Sequence, residues 1–172
     1  MAIKINTEKR IFTLETKHTM YQMQADTYGV LRHLWYGAKT GCDMSYLQDY
    51  PDVGFSGNPH DAGNDRTYSL DTLPLEYAGA GIGDFRVPAV EAVHADGSCA
   101  LDLRYYSHTV KQGKYAIAGL PALYAGEDEA ETLEVVLRDM ASAVEVTLKY
   151  GVLPELDVVT RCAEIRNLGE AP

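Results

Sequence analysis

Alternation of apolar and polar side chains is clearest in the segment Ala143-Val144-Glu145-Val146-Thr147-Leu148-Lys149-Tyr150-Gly151-Val152. Its even-numbered residues are all apolar or aromatic, whereas Glu145, Thr147 and Lys149 share the opposite face. Successive side chains of a β-strand point to opposite faces of a sheet. This period of two therefore predicts a strand that buries one face and exposes the other.

Similar runs recur along the chain at the length of a strand. Residues 133–138 alternate in the same way, and the link Asp139–Ala143 that follows is short enough for a hairpin. Further strand-like runs occupy residues 11–14, 20–23, 30–36, 100–105 and 158–165. The helical signal is limited to a single turn near residues 43–49. Many short strands separated by turn residues predict an all-β sandwich or barrel.

Composition and charge narrow the class of partner. A length of 172 residues suits one domain, and 46% hydrophobic content is ordinary for a globular chain. Lys plus Arg number 15 against 25 Asp plus Glu, which gives a formal net charge of −10. Binding to nucleic acid or to an anionic membrane needs clustered cations, so neither is expected as a partner.

The chain is expected in the cytoplasm. It contains no apolar stretch of about 18 residues, the length that spans a bilayer. Residues 1–10 lack the apolar core of a signal peptide. The three cysteines, Cys42, Cys99 and Cys162, are widely spaced, which favours reduced thiols over a disulfide framework.

Few patterns in the sequence point directly to catalysis. Gly79, Gly81 and Gly83 lack the spacing of a dinucleotide-binding loop, so close backbone packing is the preferred interpretation. The five histidines are isolated, and no metal or cofactor is expected. Three acids, Asp71, Glu76 and Asp84, could form a carboxylate pair, but an ion pair with Arg86 or a turn cap is favoured.

A long polar loop is the clearest candidate for a functional segment. Residues 49–71 are rich in Gly, Asn, Asp and Pro, and the aromatic residues Tyr50 and Phe55 give the loop something to pack. Loops of this length are either functional or disordered, and an ordered functional loop is favoured here.

Several motifs together carry a family resemblance. They are Ser69-Leu70-Asp71-Thr72-Leu73-Pro74 with Glu76-Tyr77, then Gly83-Asp84-Phe85-Arg86 with Pro88-Ala89, followed by Asp102-Leu103-Arg104-Tyr105, His108, Gly113-Lys114, Gly119-Leu120-Pro121 and Thr132-Leu133. The chain thereby resembles the N-terminal domain of glycoside hydrolase family 36 α-galactosidases, over roughly residues 3–167. The resemblance implies a galactose mutarotase-like β-supersandwich, with two large antiparallel sheets and little helix.

The resemblance also implies what this domain does. In the family, a (β/α)8 barrel and a C-terminal β domain follow, and both catalytic aspartates lie on the barrel. A barrel needs about 250 residues. Residues 1–172 are therefore expected to be a single domain that lacks the barrel and the C-terminal domain, has no catalytic residue of its own and is inactive alone.

A contribution to the substrate pocket is implied in the same way. In tetrameric members, a long loop of this domain reaches the active site of a neighbouring subunit, so a homo-oligomer is expected. By resemblance, Asp52 and Arg66 would contact the α-galactoside, flanked by Phe55 and Tyr50. Alternatively, Asp52 caps the loop and Arg66 pairs with Asp65 or Asp71.

Three further interpretations concern side chains and competing functions. Trp35, Tyr36 and Phe85 are expected in the core, and Asp84 is expected to pair with Arg86 in a partly buried ion pair. A freestanding carbohydrate-binding module is the alternative function, because 12 Tyr, three Phe and one Trp offer flat surfaces for sugar rings. A mutarotase-like epimerase would need a His/Glu pair, for which His108 and Glu76 are candidates.

Overall fold

The computed structural model describes residues 1–48 and 59–169, and the regular secondary structure within them is almost entirely strand. The eight strands are β1 (Ile3–Asn6), β2 (Ile11–Glu15), β3 (Thr19–Ala25), β4 (Leu31–Ala38), β5 (Arg104–Gln112), β6 (Glu131–Asp139), β7 (Val144–Leu153) and β8 (Val158–Asn167). Three short 3-10 turns lie at Ser45–Gln48, His60–Ala62 and Pro154–Leu156. No helix in the described ranges is long and apolar enough to cross a membrane.

The strands form two antiparallel sheets of four, each ordered as in the chain. One sheet contains β1 to β4 and the other β5 to β8, so every two strands that neighbour each other in a sheet are also consecutive in sequence. The all-β class and the two antiparallel sheets are confirmed. Two meanders of this kind follow from strand-turn-strand repetition, because sequential antiparallel strands need only short connections. The link between β5 and β6 is longer and occupies residues 113–130.

The core lies between the two sheets. Phe12, Leu14 and Met23 of the first sheet are fully buried, in one cluster with Leu148 and Tyr150 of the second. These residues occupy the apolar positions of the alternating runs, and all five are less than 1% exposed. The period of two therefore identified the buried face correctly. The expectation that the opposite face of β7 is exposed was wrong, because Glu145 and Thr147 are buried and Lys149 is half-buried.

Two hairpin connections each contain a residue with a positive φ. The β6–β7 connection runs through residues 140–143, and Ala143 takes a positive φ of 56°. Asp139 supports this turn by accepting hydrogen bonds from the backbone N–H groups of Ala141 and Ser142. In the β3–β4 connection, Gly29 has a φ of 80°, a conformation that glycine adopts without strain.

One predicted strand begins later than expected. The run at residues 100–105 alternates, yet β5 starts only at Arg104 and continues to Gln112. Leu101 donates its N–H to the carbonyl of Ala80, and Asp102 donates its N–H to the side chain of Asp139. The backbone before Arg104 is thus held by a loop and a side chain rather than by a strand ladder.

The two aromatic residues predicted for the core on β4 behave differently. Trp35 is half-buried against a small cluster that includes Ile11, Met20 and Met44. The expectation was wrong for Tyr36, whose side chain is 60% exposed. Because β4 is an edge strand, the Tyr36 ring packs against Tyr21 on one side, at a centroid distance of 5.6 Å, and faces solvent on the other.

Candidate functional site

The long polar loop is fixed to the first sheet immediately before residue 49. Met44 is buried and donates its N–H to the side-chain oxygen of Gln22 at 2.8 Å. Gln48 is also buried, and its amide donates to the carbonyl oxygen of His33 on β4 at 3.1 Å. The single helical turn predicted here is confirmed as the 3-10 turn Ser45–Gln48.

The loop is fixed to the sheet a second time at residues 60–62. The turn His60–Ala62 inserts Ala62 into a small apolar cluster that also contains Val30, Tyr68, Leu70 and Leu73. This cluster lies beside the β3–β4 connection, because Val30 and the packed ring of Tyr28 belong to that connection. Both ends of the loop are therefore anchored on the same sheet.

A buried carboxylate, Asp26, holds the second anchor in place. The hydroxyl of Tyr68 donates to Oδ2 of Asp26 at 2.5 Å. The other oxygen of Asp26 accepts the backbone N–H groups of Tyr28 and Val30, both at 2.9 Å. Burial, followed by the hydrogen bond to Asp26, raises the pKa of Tyr68, so its hydroxyl remains a donor. This arrangement fixes the backbone two residues after Arg66.

Arg66 itself is exposed on a turn beside this anchor. Asp65 stabilises the turn, because its Oδ1 accepts the backbone N–H and the hydroxyl of Thr67 at 2.9 and 2.6 Å. These hydrogen bonds lower the pKa of the Asp65 carboxyl. Asp71 accepts a hydrogen bond from the hydroxyl of Ser69. The other predicted substrate contacts, Asp52, Phe55 and Tyr50, lie outside the described residues.

The segment after this anchor contains the expected ion pair. Arg86 donates from Nε and Nη2 to the two carboxylate oxygens of Asp84 at 2.8 and 2.9 Å. Nη2 also donates to the carbonyl oxygens of Leu70 and Leu73 at 2.9 and 2.6 Å. Burial by itself raises the pKa of Asp84, but the Arg86 donors outweigh it and leave that pKa below the usual range.

The prediction that Phe85 belongs to the core was wrong. Its side chain is 83% exposed. The Asp84 side chain turns inward, and Arg86, whose side chain stays 47% exposed, reaches it and the two carbonyl oxygens. Phe85, which lies between these two residues, is left facing solvent.

A second buried carboxylate, Glu76, lies between the two sheets. Tyr21 of β3 donates to both its oxygens at 2.7 and 2.8 Å, and Tyr150 of β7 donates to Oε1 at 2.7 Å. His33 Nδ1 lies 3.2 Å from Oε2, and Arg161 Nη2 lies 3.2 Å from Oε1. Burial raises the pKa of Glu76, but His33, Arg161 and the two phenols outweigh it, so the carboxylate is favoured.

This cluster was missed by sequence reasoning and differs from the His/Glu pair considered for an epimerase. His108 instead contacts the hydroxyl of Tyr105 at 2.6 Å, and the histidine beside Glu76 is His33. One signal was present in the sequence. Tyr150 stands in the apolar row of β7, and a buried tyrosine hydroxyl requires a partner. The identity of that partner, 74 residues away in the chain, was not encoded locally.

Metal-binding groups are not apparent in the part of the chain that the structure describes. No cluster of three or more His, Cys, Asp or Glu residues in those ranges has the arrangement to hold an ion. The three cysteines are free thiols.

Fold and loop together define a class of protein: a two-sheet β-sandwich domain that carries a long polar loop anchored at both ends. The model of the glycosyl hydrolase family 36 N-terminal domain matches residues 29–172, and the chain belongs to this family. The family assigned from the sequence motifs is thereby confirmed.

The similar proteins are α-galactosidases. The chain is 53% identical to the bifunctional α-galactosidase/sucrose kinase AgaSK of Mediterraneibacter gnavus over 98% of its length, but spans only 18% of that relative. It is 41% identical to α-galactosidase AgaA of Geobacillus stearothermophilus, over 98% of this chain and 23% of the relative.

Solved structures agree with these matches. The galactosidase domain of AgaSK superposes with a TM-score of 0.96 at 52% identity, covering 99% of this chain and 24% of that one. The α-galactosidase AgaB of Geobacillus stearothermophilus superposes with a TM-score of 0.90 at 41% identity, covering 99% of this chain and 23% of that one. A variant of AgaA, solved in complex with raffinose, superposes with a TM-score of 0.87 at 40% identity, covering 94% of this chain and 22% of that one.

Proposed function

We propose that this chain is the non-catalytic N-terminal domain of a retaining α-galactosidase that hydrolyses terminal α-1,6-linked galactose from sugars of the melibiose and raffinose type. The observation that carries the proposal is the family membership together with 53% identity to an α-galactosidase across 98% of the chain. In such an enzyme the domain packs on the catalytic barrel, supports a homo-oligomer, expected to be a tetramer, and acts in the cytoplasm.

The loop supplies the contribution to the substrate pocket. Arg66 is exposed on a turn whose backbone is fixed by Tyr68 and Asp26, which suits a side chain that must reach outward from a rigid base. A guanidinium donates in a fixed fork and a carboxylate such as Asp52 accepts from paired hydroxyls, so the two groups complement a sugar. Tyr50 and Phe55 would form walls of the same pocket.

We expect Arg66→Ala and Asp52→Ala, each made in an enzyme that carries this domain with its catalytic barrel, to lower kcat/KM on melibiose and raffinose. A hydrogen bond to a charged group contributes about 1.5–3 kcal/mol, so the loss is about tenfold to a hundredfold. Arg166→Ala, which removes an exposed arginine paired with Glu164 on β8, is the matched control. Unchanged kcat/KM in both loop variants would contradict the pocket role.

The alternative function is a freestanding carbohydrate-binding module. Exposed aromatic rings support it, among them Tyr36, Tyr46 and Tyr124, which are 60%, 63% and 89% exposed. Calorimetric titration of the 172-residue chain with galactose or raffinose separates the two functions. We expect no binding at millimolar sugar, because the pocket is completed by the barrel. Millimolar or tighter binding would favour the module.

A further inference from the structure

In the segment from Gly83 to Pro88 a charged side chain is buried and two apolar side chains are exposed, the reverse of the usual arrangement at a protein surface. The carboxylate side chain of Asp84 is only 3% exposed, whereas Phe85 and Val87 are 83% and 95% exposed. Ordinary surface segments place charged groups in solvent and apolar groups inward. Here the charged groups are used to fix the segment, and two apolar side chains project from it.

The backbone beneath these two side chains is held firmly. Arg86 ties the segment to the carbonyl oxygens of Leu70 and Leu73 as well as to Asp84. Ile82, just before the segment, packs against the same small cluster as Leu70 and Leu73. A backbone that is already ordered loses little conformational freedom on binding, so the segment that carries Phe85 is preorganised.

The size of this apolar projection limits the kind of partner it can hold. Two such side chains offer about 300 Å² of surface, since a buried aromatic residue contributes about 150–250 Å². A stable interface between separate molecules buries about 800 Å² on each partner. A small anchor is sufficient when the partner is tethered, because a covalent link gives an effective concentration in the millimolar range. A part of the same polypeptide therefore fits better than a second copy.

The length of the relatives supplies that tethered partner. This chain spans 18% and 23% of the two α-galactosidases named above, so most of each relative lies outside the matched domain. We propose that Phe85 and Val87 are the apolar anchor by which this domain docks on the catalytic part of its own polypeptide. The inference rests on the proposed function for the existence of that part, and it assigns the docking surface.

The test uses the longer enzyme, with a protease site inserted after residue 172. After cleavage, the dissociation constant between the two pieces is measured by serial dilution and size-exclusion chromatography. We expect Phe85→Ser to weaken their association about thirtyfold, as for an anchor residue, Val87→Ser to weaken it less, and Phe85→Leu to restore part of it. Tyr124→Ser, at an 89% exposed tyrosine beside the β7–β8 connection, should change it by less than about threefold.

Three results would overturn the inference: unchanged association for Phe85→Ser, separation of the unmutated pieces even at the millimolar concentration that a covalent link supplies, or an altered number of subunits in the uncut Phe85→Ser enzyme with unchanged association of the pieces. The last result would make the projection a contact between copies. Hydrolysis by the uncut Arg66→Ala enzyme tests the proposed function separately. If Arg66→Ala lowers the activity while Phe85→Ser leaves the association of the pieces unchanged, the proposed function stands and only the docking inference falls.

Discussion

Replacing Glu76 by alanine is expected to lower the free energy of unfolding by about 3–5 kcal/mol, because it leaves buried partners without their carboxylate. Tyr21 and Tyr150 would lose the acceptor for their hydroxyls, and Arg161 would lose its anion. The two phenols belong to different sheets, so the variant removes a polar connection across the sandwich as well as a packed side chain.

Chemical denaturation of the purified chain, followed by tryptophan fluorescence and circular dichroism, measures this effect. Glu91→Ala is the control, because Glu91 is an exposed glutamate outside the strands. A surface substitution of this kind normally changes stability by less than about 0.5 kcal/mol. Equal losses for Glu76→Ala and Glu91→Ala would show that the Glu76 cluster adds nothing to stability.

The pH dependence of the same site has a definite sign. The folded-state pKa of Glu76 lies below its ordinary value of 4.5, so the carboxylate stabilises the fold above that value and loses this effect as the pH falls through the folded pKa. Glu76→Gln cannot titrate. The difference in unfolding free energy between the native chain and Glu76→Gln should therefore be constant near neutral pH and shrink in acid.

Gly79→Ala is expected to destabilise the chain by about 3 kcal/mol, the upper end of the usual cost of overpacking. A Cβ at this position would lie 2.1 Å from the carbonyl oxygen of Leu101 and 3.2 Å from its carbonyl carbon. Both atoms are backbone, so relief of the clash must separate two chain segments. Gly79 also forms an isolated bridge with Val90, and the neighbouring Ala80 accepts a hydrogen bond from Leu101.

Gly126→Ala is the matched control for this substitution. A Cβ there would meet only the carboxylate end of Glu129, at 3.3 Å, and a flexible side chain can move aside. Thermal unfolding of the three chains gives the comparison, with Gly126→Ala expected close to the native midpoint. If Gly79→Ala also unfolds at the native midpoint, the close approach of Leu101 imposes no constraint. The close-packing interpretation of Gly79, made from the sequence, agrees with this geometry.

The strands and their buried faces could be predicted because the information is local. Alternation along residues 143–152 needs no knowledge of the rest of the chain, and the predicted strand coincides with β7 within one residue at each end. The run at 100–105 shows where this reasoning fails. Its alternation is equally clear, but its backbone partners are Ala80 and Asp139, which local periodicity does not reveal.

The sequence by itself determined the all-β class, most of the strand positions and, through the motifs around Ser69–Tyr77 and Gly83–Arg86, the family. Tertiary structure alone decided which polar groups are buried together. Glu76 meets residues from positions 21, 33, 150 and 161, and Asp26 meets Tyr68, 42 residues away. It also decided that Phe85 faces outward. The physical reason is that periodicity assigns a side chain to a face, whereas its partner depends on how two sheets and their connecting segments pack.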